Sequence, residues 1–243
     1  MLAQAAVYAQ PGGPDLGRAY RMLQPYEDDI RAFVSNGGRY LGFCLGAFLA
    51  GSTPGFRLLP DGVNATPERR EAGAQVTGVE DTIIQVDWTF RSPVGPFATG
   101  DTAKSQWMYF QDGAVITGLS AGDNATVLGR YSSNGNVAAT LTPFGKGIVA
   151  LVGPHPEATP DWYRTFNLEN PDGIKYDIGH DFLNAAMDPS TSGPSTSGPA
   201  KPSPSKESAS VRPRGRVTLP NPIGVLVRMA RNPSWAWPRL GTL

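Results

Sequence analysis

A cysteine between two glycines, directly after a short apolar run, is the feature that most restricts how this chain folds. The segment Gly42-Phe43-Cys44-Leu45-Gly46 contains the only cysteine of the 243 residues, and residues 39–43 are predicted to form a strand. A strand that turns sharply into a helix places one side chain in a strained, exposed position, and flanking glycines avoid clashes in that turn. A helix over residues 45–50 would direct its first N–H groups at the sulfur, which favours the thiolate. The pattern predicts a nucleophile elbow at Cys44, and the alternative is a small buried cysteine.

A nucleophilic cysteine needs a base, and the chain has only two histidines. His180 lies in a segment that is typical of a helix start. His155 follows an apolar run, residues 147–153, that is typical of a strand buried in a parallel sheet. Open α/β sheets place reactive groups just beyond the carboxyl ends of such strands. In an extended segment Glu157 points the same way as His155, so its carboxylate is predicted to orient the imidazole. A surface histidine beside an unrelated acid is the alternative.

Three ordered motifs give the sequence a family resemblance. They are Pro11-Gly12-Gly13, the stretch from Gly37 to Ala47, and Gly153-Pro154-His155-Pro156-Glu157. Together they resemble the biotin-protein ligase amino-terminal domain family within the class I glutamine amidotransferase-like superfamily, over roughly residues 5–187. The resemblance implies a flavodoxin-like, three-layer α/β sandwich with a parallel central sheet. It also implies a catalytic triad of Cys44, His155 and Glu157.

Two departures from the family pattern limit what the resemblance implies. Glutaminase members usually carry a His-Gln pair after the elbow, which helps to hold the substrate glutamine, but here those positions are Ala47 and Phe48. The family fold also opens with one or two β-α units before the Pro-Gly-Gly strand, whereas this chain reaches that strand, residues 5–9, almost at once. We therefore expect a domain that lacks the first β-α units, either through an incomplete gene product or start-site choice or with a partner covering the open sheet edge.

Composition restricts the possible partners and cofactors. The 21 basic and 21 acidic residues balance, so neither nucleic acid nor an anionic membrane is an expected partner. One cysteine and two distant histidines make a metal site improbable, and no cofactor is expected. No run of about 18 apolar residues predicts a membrane span. A cytoplasmic location is favoured, with secretion as the alternative if a signal peptide is missing from this amino terminus.

The composition changes near Asp188 and divides the chain in two. Residues 1–188 are predicted to form one domain, because apolar runs there alternate with glycine-rich turns. Residues 189–243 begin with a tandem Ser-Thr-Ser-Gly-Pro repeat and are rich in proline and serine, so a disordered tail is expected.

The order of elements in the predicted domain can also be sketched. Apolar periodicity predicts a helix over residues 25–34 that ends at Gly37-Gly38. Asn134-Gly135 predicts a hairpin turn. The alternation of apolar and polar residues predicts an antiparallel β excursion, with strands at residues 74–76, 82–90, 106–110, 114–116 and 125–131.

These residues suggest two functions of different kinds. The first is a cysteine-dependent amide hydrolase or amidotransferase acting on a small-molecule amide or acyl substrate. Its oxyanion would lie between the N–H of Leu45 and the backbone of Gly12 and Gly13; a simple turn also explains those two glycines. Trp107, Tyr109 and Gln111 are further candidates for the pocket. The second function is a non-catalytic binding or regulatory module on the same fold, with a possible protein partner.

Overall fold

The chain forms an α/β domain on one mixed sheet. A computed structural model of the protein describes residue 2, residues 5–52 and residues 54–188. Within these residues nine strands are connected, in the order β1-β2-β9-β8-β7-β4-β5, while β6 pairs with β3 and with β8. The strands are β1 (Val7–Gln10), β2 (Arg39–Phe43), β3 (Asn64–Pro67), β4 (Thr82–Thr89), β5 (Thr102–Phe110), β6 (Ala114–Thr117), β7 (Thr126–Tyr131), β8 (Val137–Phe144) and β9 (Gly147–Val152).

Five α-helices accompany the sheet in the described residues. They are α1 (Leu16–Leu23), α2 (Glu27–Ser35), α3 (Leu45–Ala50), α4 (Pro160–Thr165) and α5 (Asp177–Met187). The helix expected over residues 25–34 is close to α2, which ends before Gly37 in the left-handed conformation (φ 113°). Ile30 and Val34 are buried as its periodicity requires, but Tyr26 precedes the helix and is exposed.

The parallel part of the sheet is narrower than the sequence suggests. β1 pairs with β2 and β2 pairs with β9, both in parallel, but β9 pairs with β8 in the antiparallel direction. The expectation that the strand before His155 has parallel neighbours is therefore wrong on one side. A buried apolar run looks alike in either setting, since burial on both faces, and not strand direction, produces it.

The side chains of β2 pack against helices on both sides. Tyr40 belongs to the main apolar cluster, which includes Ile30 and Val34 of α2. Phe43 makes an edge-to-face contact with Phe182 of α5, with ring centroids 5.3 Å apart. Positions 40 and 43 are an odd number of residues apart and therefore point to opposite faces of a strand. β1 forms one edge of the sheet in the described part of the chain, and its four residues are half-buried.

The predicted antiparallel excursion is present, but some of its strands differ from those predicted. β4 pairs with β5 and β7, and β7 and β8 form the hairpin at Asn134-Gly135, where Gly135 has a φ of 75°. Residues 74–76, expected as a strand, form none and lie in an irregular segment after the turn at residues 72–73. The four-residue strand β3 and the helix α1 were not predicted from the sequence.

Two further expectations from the sequence concern the carboxyl-terminal residues and membrane spans. Residues 189–243, expected to be a disordered tail, lie outside the described residues. Where the structure describes the chain, it contains no helix long and apolar enough to cross a membrane.

Candidate active site

Cys44 lies in the tight connection between β2 and α3. Its φ of 49° and ψ of −107° are unusual for a residue with a side chain, and such strain is typical of the turn that presents a nucleophile. The expectation of an exposed side chain is wrong, because Cys44 is buried, with only 5% of its surface exposed. A Cβ added at Gly42 would lie 2.5 Å from the carbonyl oxygen of Gly46, and one at Gly46 would overlap the carbonyl of Gln10. Both glycines are therefore required by close backbone approach.

His155 lies beyond the carboxyl end of β9, beside Cys44. β2 and β9 are neighbours in register, with Phe43 opposite Val152, and the N–H of Cys44 donates to the carbonyl of Val152 at 2.9 Å. The N–H of His155 donates to the carbonyl of Tyr109 in β5 at 2.9 Å. These two backbone contacts hold the imidazole at the end of the parallel strands.

Glu157 contacts the imidazole through a turn and not through an extended segment. The Nδ1 of His155 lies 2.8 Å from Oε1 of Glu157. The N–H of Ala158 donates to the carbonyl of His155 at 3.1 Å, so residues 155–158 turn back on themselves. The expected pairing of His155 and Glu157 is thus present, but the extended backbone from which we derived it is wrong, because Pro156 and Glu157 form a turn.

The charges around His155 favour its protonated form. Burial of the imidazole, which is only 5% exposed, lowers the pKa of His155. The negative charges of Glu157 and Cys44, with hydrogen bonds to both side chains, outweigh burial and raise the pKa of His155 to about 10. An imidazolium between a carboxylate and a sulfur atom can hold a thiolate and later donate a proton.

The backbone loop after β1 closes one side of the sulfur. A Cβ added at Gly12 would lie 2.8 Å from Cε1 of His155 and 3.5 Å from Cβ of Cys44. Gly13 lies close to the side chain of Leu45. Leu45 is the first residue of α3, so its N–H has no carbonyl partner within the helix. The structure thus brings together all the residues expected at an oxyanion site.

Aromatic rings surround the other side of the imidazole. Tyr109 makes an edge contact with His155 at 5.9 Å between ring centroids, and Trp162 of α4 makes another at 5.1 Å. The hydroxyl of Tyr109 donates to Asp81, and burial together with this bond raises the pKa of Tyr109. Trp162 and Asp81 were not found from the sequence, since neither belongs to a motif.

A pocket of about 420 Å³ opens at Cys44. Of the expected pocket residues, Gln111 lines it, and its carbonyl lies 3.4 Å from the Sγ of Cys44. Trp107 and Tyr109 are not among the lining residues, and the carbonyl of Trp107 accepts a hydrogen bond from Asn170. Sequence reasoning missed other residues of the lining, among them Leu16, Arg69, Arg70, Val79 and Asp112. The adjacent pair of arginines was the one available signal.

Other parts of the described chain offer less chemistry. His180 lies in α5 and is half-buried. A second pocket of about 480 Å³ adjoins β6 and β7, and Cys44 and His155 are not among its lining residues. Within the described ranges, no group of three or more histidine, cysteine, aspartate or glutamate side chains is placed to hold a metal ion.

Comparison with known proteins gives one family match and one curated relative. Residues 2–72 match the family model described as biotin-protein ligase, N terminal. A biotin-protein ligase of Schizosaccharomyces pombe is 27% identical over 165 residues, which is 64% of this chain and 26% of that protein. The chain therefore spans about a quarter of the length of this relative.

Solved structures with a similar arrangement are distant in sequence. A crystal structure of a glutamine amidotransferase is 18% identical, covers 74% of this chain and 79% of its own, and has a TM-score of 0.48. A cytoplasmic protein from Salmonella typhimurium is 16% identical, covers 76% of this chain and 73% of its own, and has a TM-score of 0.43.

Proposed function

With residues 2–72 confirmed as resembling the amino-terminal domain family of biotin-protein ligases, we propose that this chain is a cysteine-dependent amide hydrolase or amidotransferase. We also propose that its α/β domain belongs to the flavodoxin-like, three-layer class, since β2 packs against α2 on one face and α5 on the other. Cys44 is the nucleophile, His155 the acid and base, and Glu157 the residue that orients the imidazole.

One observation carries the proposal: a buried imidazole bonded to a carboxylate on one side and facing the sulfur of a strained cysteine on the other. Glu157 accepts at 2.8 Å from Nδ1 of His155, which leaves Nε2 for the sulfur. An ordinary buried cysteine requires neither a left-handed backbone nor a charged partner. Both features together are what nucleophilic catalysis requires.

The reaction steps follow from these positions. The sulfur of Cys44 attacks the acyl carbon while the imidazolium of His155 donates its proton to the leaving amine. The oxyanion that forms lies between the N–H of Leu45 and the backbone of the Gly12-Gly13 loop. Water or a second amine then attacks the thioester, and His155 takes its proton.

The direct test is the rate at which iodoacetamide labels Cys44 as a function of pH. A sulfur paired with protonated His155 reacts rapidly well below pH 8, where an unpaired thiol reacts slowly. We expect His155→Ala to lose this low-pH reactivity. His180→Ala replaces the other histidine, in α5, and serves as the matched control that retains it.

A non-catalytic binding module is the second candidate function. Phe48 supports it, because this apolar side chain lines the pocket at one of the two sequence positions where the resemblance to glutaminases implies a substrate-holding pair. In that case iodoacetamide labels Cys44 with the same pH dependence in the wild type and in His155→Ala. That result would exclude the enzyme hypothesis and leave the pocket as a binding site.

A further inference from the structure

The pocket beside Cys44 has an apolar side and a charged side. Leu16, Phe48 and Val79 provide apolar surface, and the charged lining residues are Arg69, Arg70 and Asp112. Its volume of about 420 Å³ is within the range of small-molecule sites. Apolar walls with a few placed polar groups are the usual composition of such sites.

The charges of the lining do not cancel. The Nε of Arg69 donates to Oδ1 of Asp112 at 2.8 Å, so this carboxylate offsets one guanidinium. Arg70 remains as the second cation, and its side chain is exposed at the pocket. Two arginines and one aspartate leave one net positive charge among the lining side chains. A guanidinium at the rim of a pocket favours a ligand with a carboxylate.

We propose that the pocket takes a monoamide of an aliphatic dicarboxylic acid, with the amide at Cys44 and the free carboxylate at Arg70. The methylene groups between them contact Phe48, Leu16 and Val79. This assignment rests on the proposed function, because it needs Cys44 as the nucleophile. It names a substrate class that matches the apolar Phe48 wall, which has no amide to hold the amino-acid end of glutamine.

Hydrolysis of such a substrate requires no reactant other than water. The sulfur of Cys44 forms a bond to the amide carbon, the carbon–nitrogen bond breaks, and the proton of His155 leaves with the nitrogen as ammonia or an amine. Water then adds to the thioester, the carbon–sulfur bond breaks, and the dicarboxylic acid leaves while His155 regains a proton. The remote carboxylate stays on Arg70 throughout.

The test uses two activated esters of similar length and shape, mono-4-nitrophenyl glutarate and 4-nitrophenyl valerate, on the full chain. Release of 4-nitrophenol gives the acylation rate, and the intact mass with Cys44→Ser as the blank identifies the acylated residue. Each rate is divided by the rate at which the same ester reacts with a small uncharged thiol, which corrects for the intrinsic reactivity of the ester. In the wild type we expect the glutarate ester to acylate Cys44 about tenfold faster than the valerate ester, as a charge-assisted contact implies.

Variants at Arg70 and at Lys146 distinguish a direct contact of Arg70 with the substrate carboxylate from the effect of the overall charge of the protein. Arg70→Gln should bring the ratio of the two rates close to one, and Arg70→Lys should restore part of it. Lys146→Gln removes one positive charge from the exposed turn before β9, at the opposite end of that strand from His155, and should leave the ratio unchanged.

The outcomes distinguish the two proposals. If Cys44 is acylated by both esters at similar rates, or if Arg70→Gln leaves the preference intact, the dicarboxylate assignment is wrong while the proposed function stands. If neither ester acylates Cys44 in the wild type, both proposals are overturned.

Discussion

The parallel and antiparallel parts of the sheet contribute different things to the candidate site. The reacting groups follow the carboxyl ends of the three parallel strands: the Gly12-Gly13 loop after β1, Cys44 after β2 and His155 after β9. The antiparallel part supplies the charged side of the pocket lining, with Asp112 in the turn between β5 and β6 and with Arg69 and Arg70 after β3. Leu16 of α1 and Phe48 of α3, which also line the pocket, belong to the parallel part.

The difference lies in what fixes each group. Backbone contacts between adjacent strands hold the elbow and the base, and the glycines around them leave no room for a side chain. The charged residues of the pocket lining lie in short segments between strands, where substitution leaves the sheet intact. We infer that the parallel part specifies the chemistry and an apolar wall of the pocket, and that the antiparallel part specifies the charge of the substrate.

The largest expected effect comes from adding one methyl group at the elbow. In Gly46→Ala the new Cβ would overlap the backbone carbonyl of Gln10, which no side-chain rotation relieves. We expect a loss of about 3 kcal/mol or more in the free energy of unfolding, measured by urea denaturation. The matched change in the antiparallel part, Gly135→Ala, meets open space and incurs only the left-handed backbone (φ 75°), or about 1 to 2 kcal/mol. Equal losses would contradict the contrast between the two parts.

The carboxylate of Asp181 connects α5 to the antiparallel part. Asp181 accepts hydrogen bonds from Nε1 of Trp88 at 2.9 Å and from the N–H groups of Arg91 and Ser92 at 2.9 and 2.7 Å. Asp181→Asn places an NH₂ group against these donors, so we expect a loss of about 2 kcal/mol in urea unfolding. Asp172→Asn makes the same chemical change at an exposed loop residue and should have little effect. A loss below about 0.5 kcal/mol at Asp181 would show that another contact holds α5 in place.

The backbone of the elbow could be predicted from the sequence because its constraints are local. β2 and α3 have the predicted bounds, since two glycines around a cysteine between an apolar strand and an apolar helix leave few alternatives. The family resemblance is confirmed for residues 2–72. The catalytic role of Cys44, His155 and Glu157 stays a prediction.

The rest of the site depends on tertiary contacts that no short motif encodes. Arg70 reaches the pocket because β3 pairs with β6, yet the four residues of β3 carry no strong strand signal. Trp162 reaches His155 from α4, whose position follows from the turn after Glu157. The antiparallel pairing of β8 with β9 could not be predicted either, since a fully buried strand has a similar composition in parallel and antiparallel pairs.

The His155–Glu157 pair predicts a pH dependence of stability in the parallel part. The pKa of His155 is raised in the folded state, so between its unfolded value near 6.5 and about 10 the folded chain binds more protons than the unfolded chain. Its contribution to stability is therefore complete below pH 6.5 and is lost as the pH rises to about 10.

Glu157→Gln tests this linkage. Removing the charge of Glu157 lowers the pKa of His155, and each unit of pKa corresponds to about 1.4 kcal/mol. We expect the fall in unfolding free energy between pH 6 and pH 10 to be smaller in the variant by about that amount, from urea denaturation at each pH. His180→Ala controls for the other histidine. Parallel pH curves for the wild type and Glu157→Gln would mean that Glu157 does not control the proton on His155.

The smallest stability effect is expected where the antiparallel part lines the pocket. Arg69 and Asp112 form an ion pair whose side chains are 25% and 34% exposed, and such pairs contribute less than about 1 kcal/mol. Asp112 has a φ of 42°, which asparagine adopts readily, so Asp112→Asn keeps the turn and removes only the charge. We expect a change of about 0.5 kcal/mol or less in urea unfolding.

Because the variant frees the guanidinium of Arg69, acylation by mono-4-nitrophenyl glutarate should rise about twofold relative to the valerate ester. A large loss of stability with no change in this ratio would contradict the prediction. The Arg69–Asp112 pair would then stabilise the β5–β6 turn and contribute nothing to substrate selection.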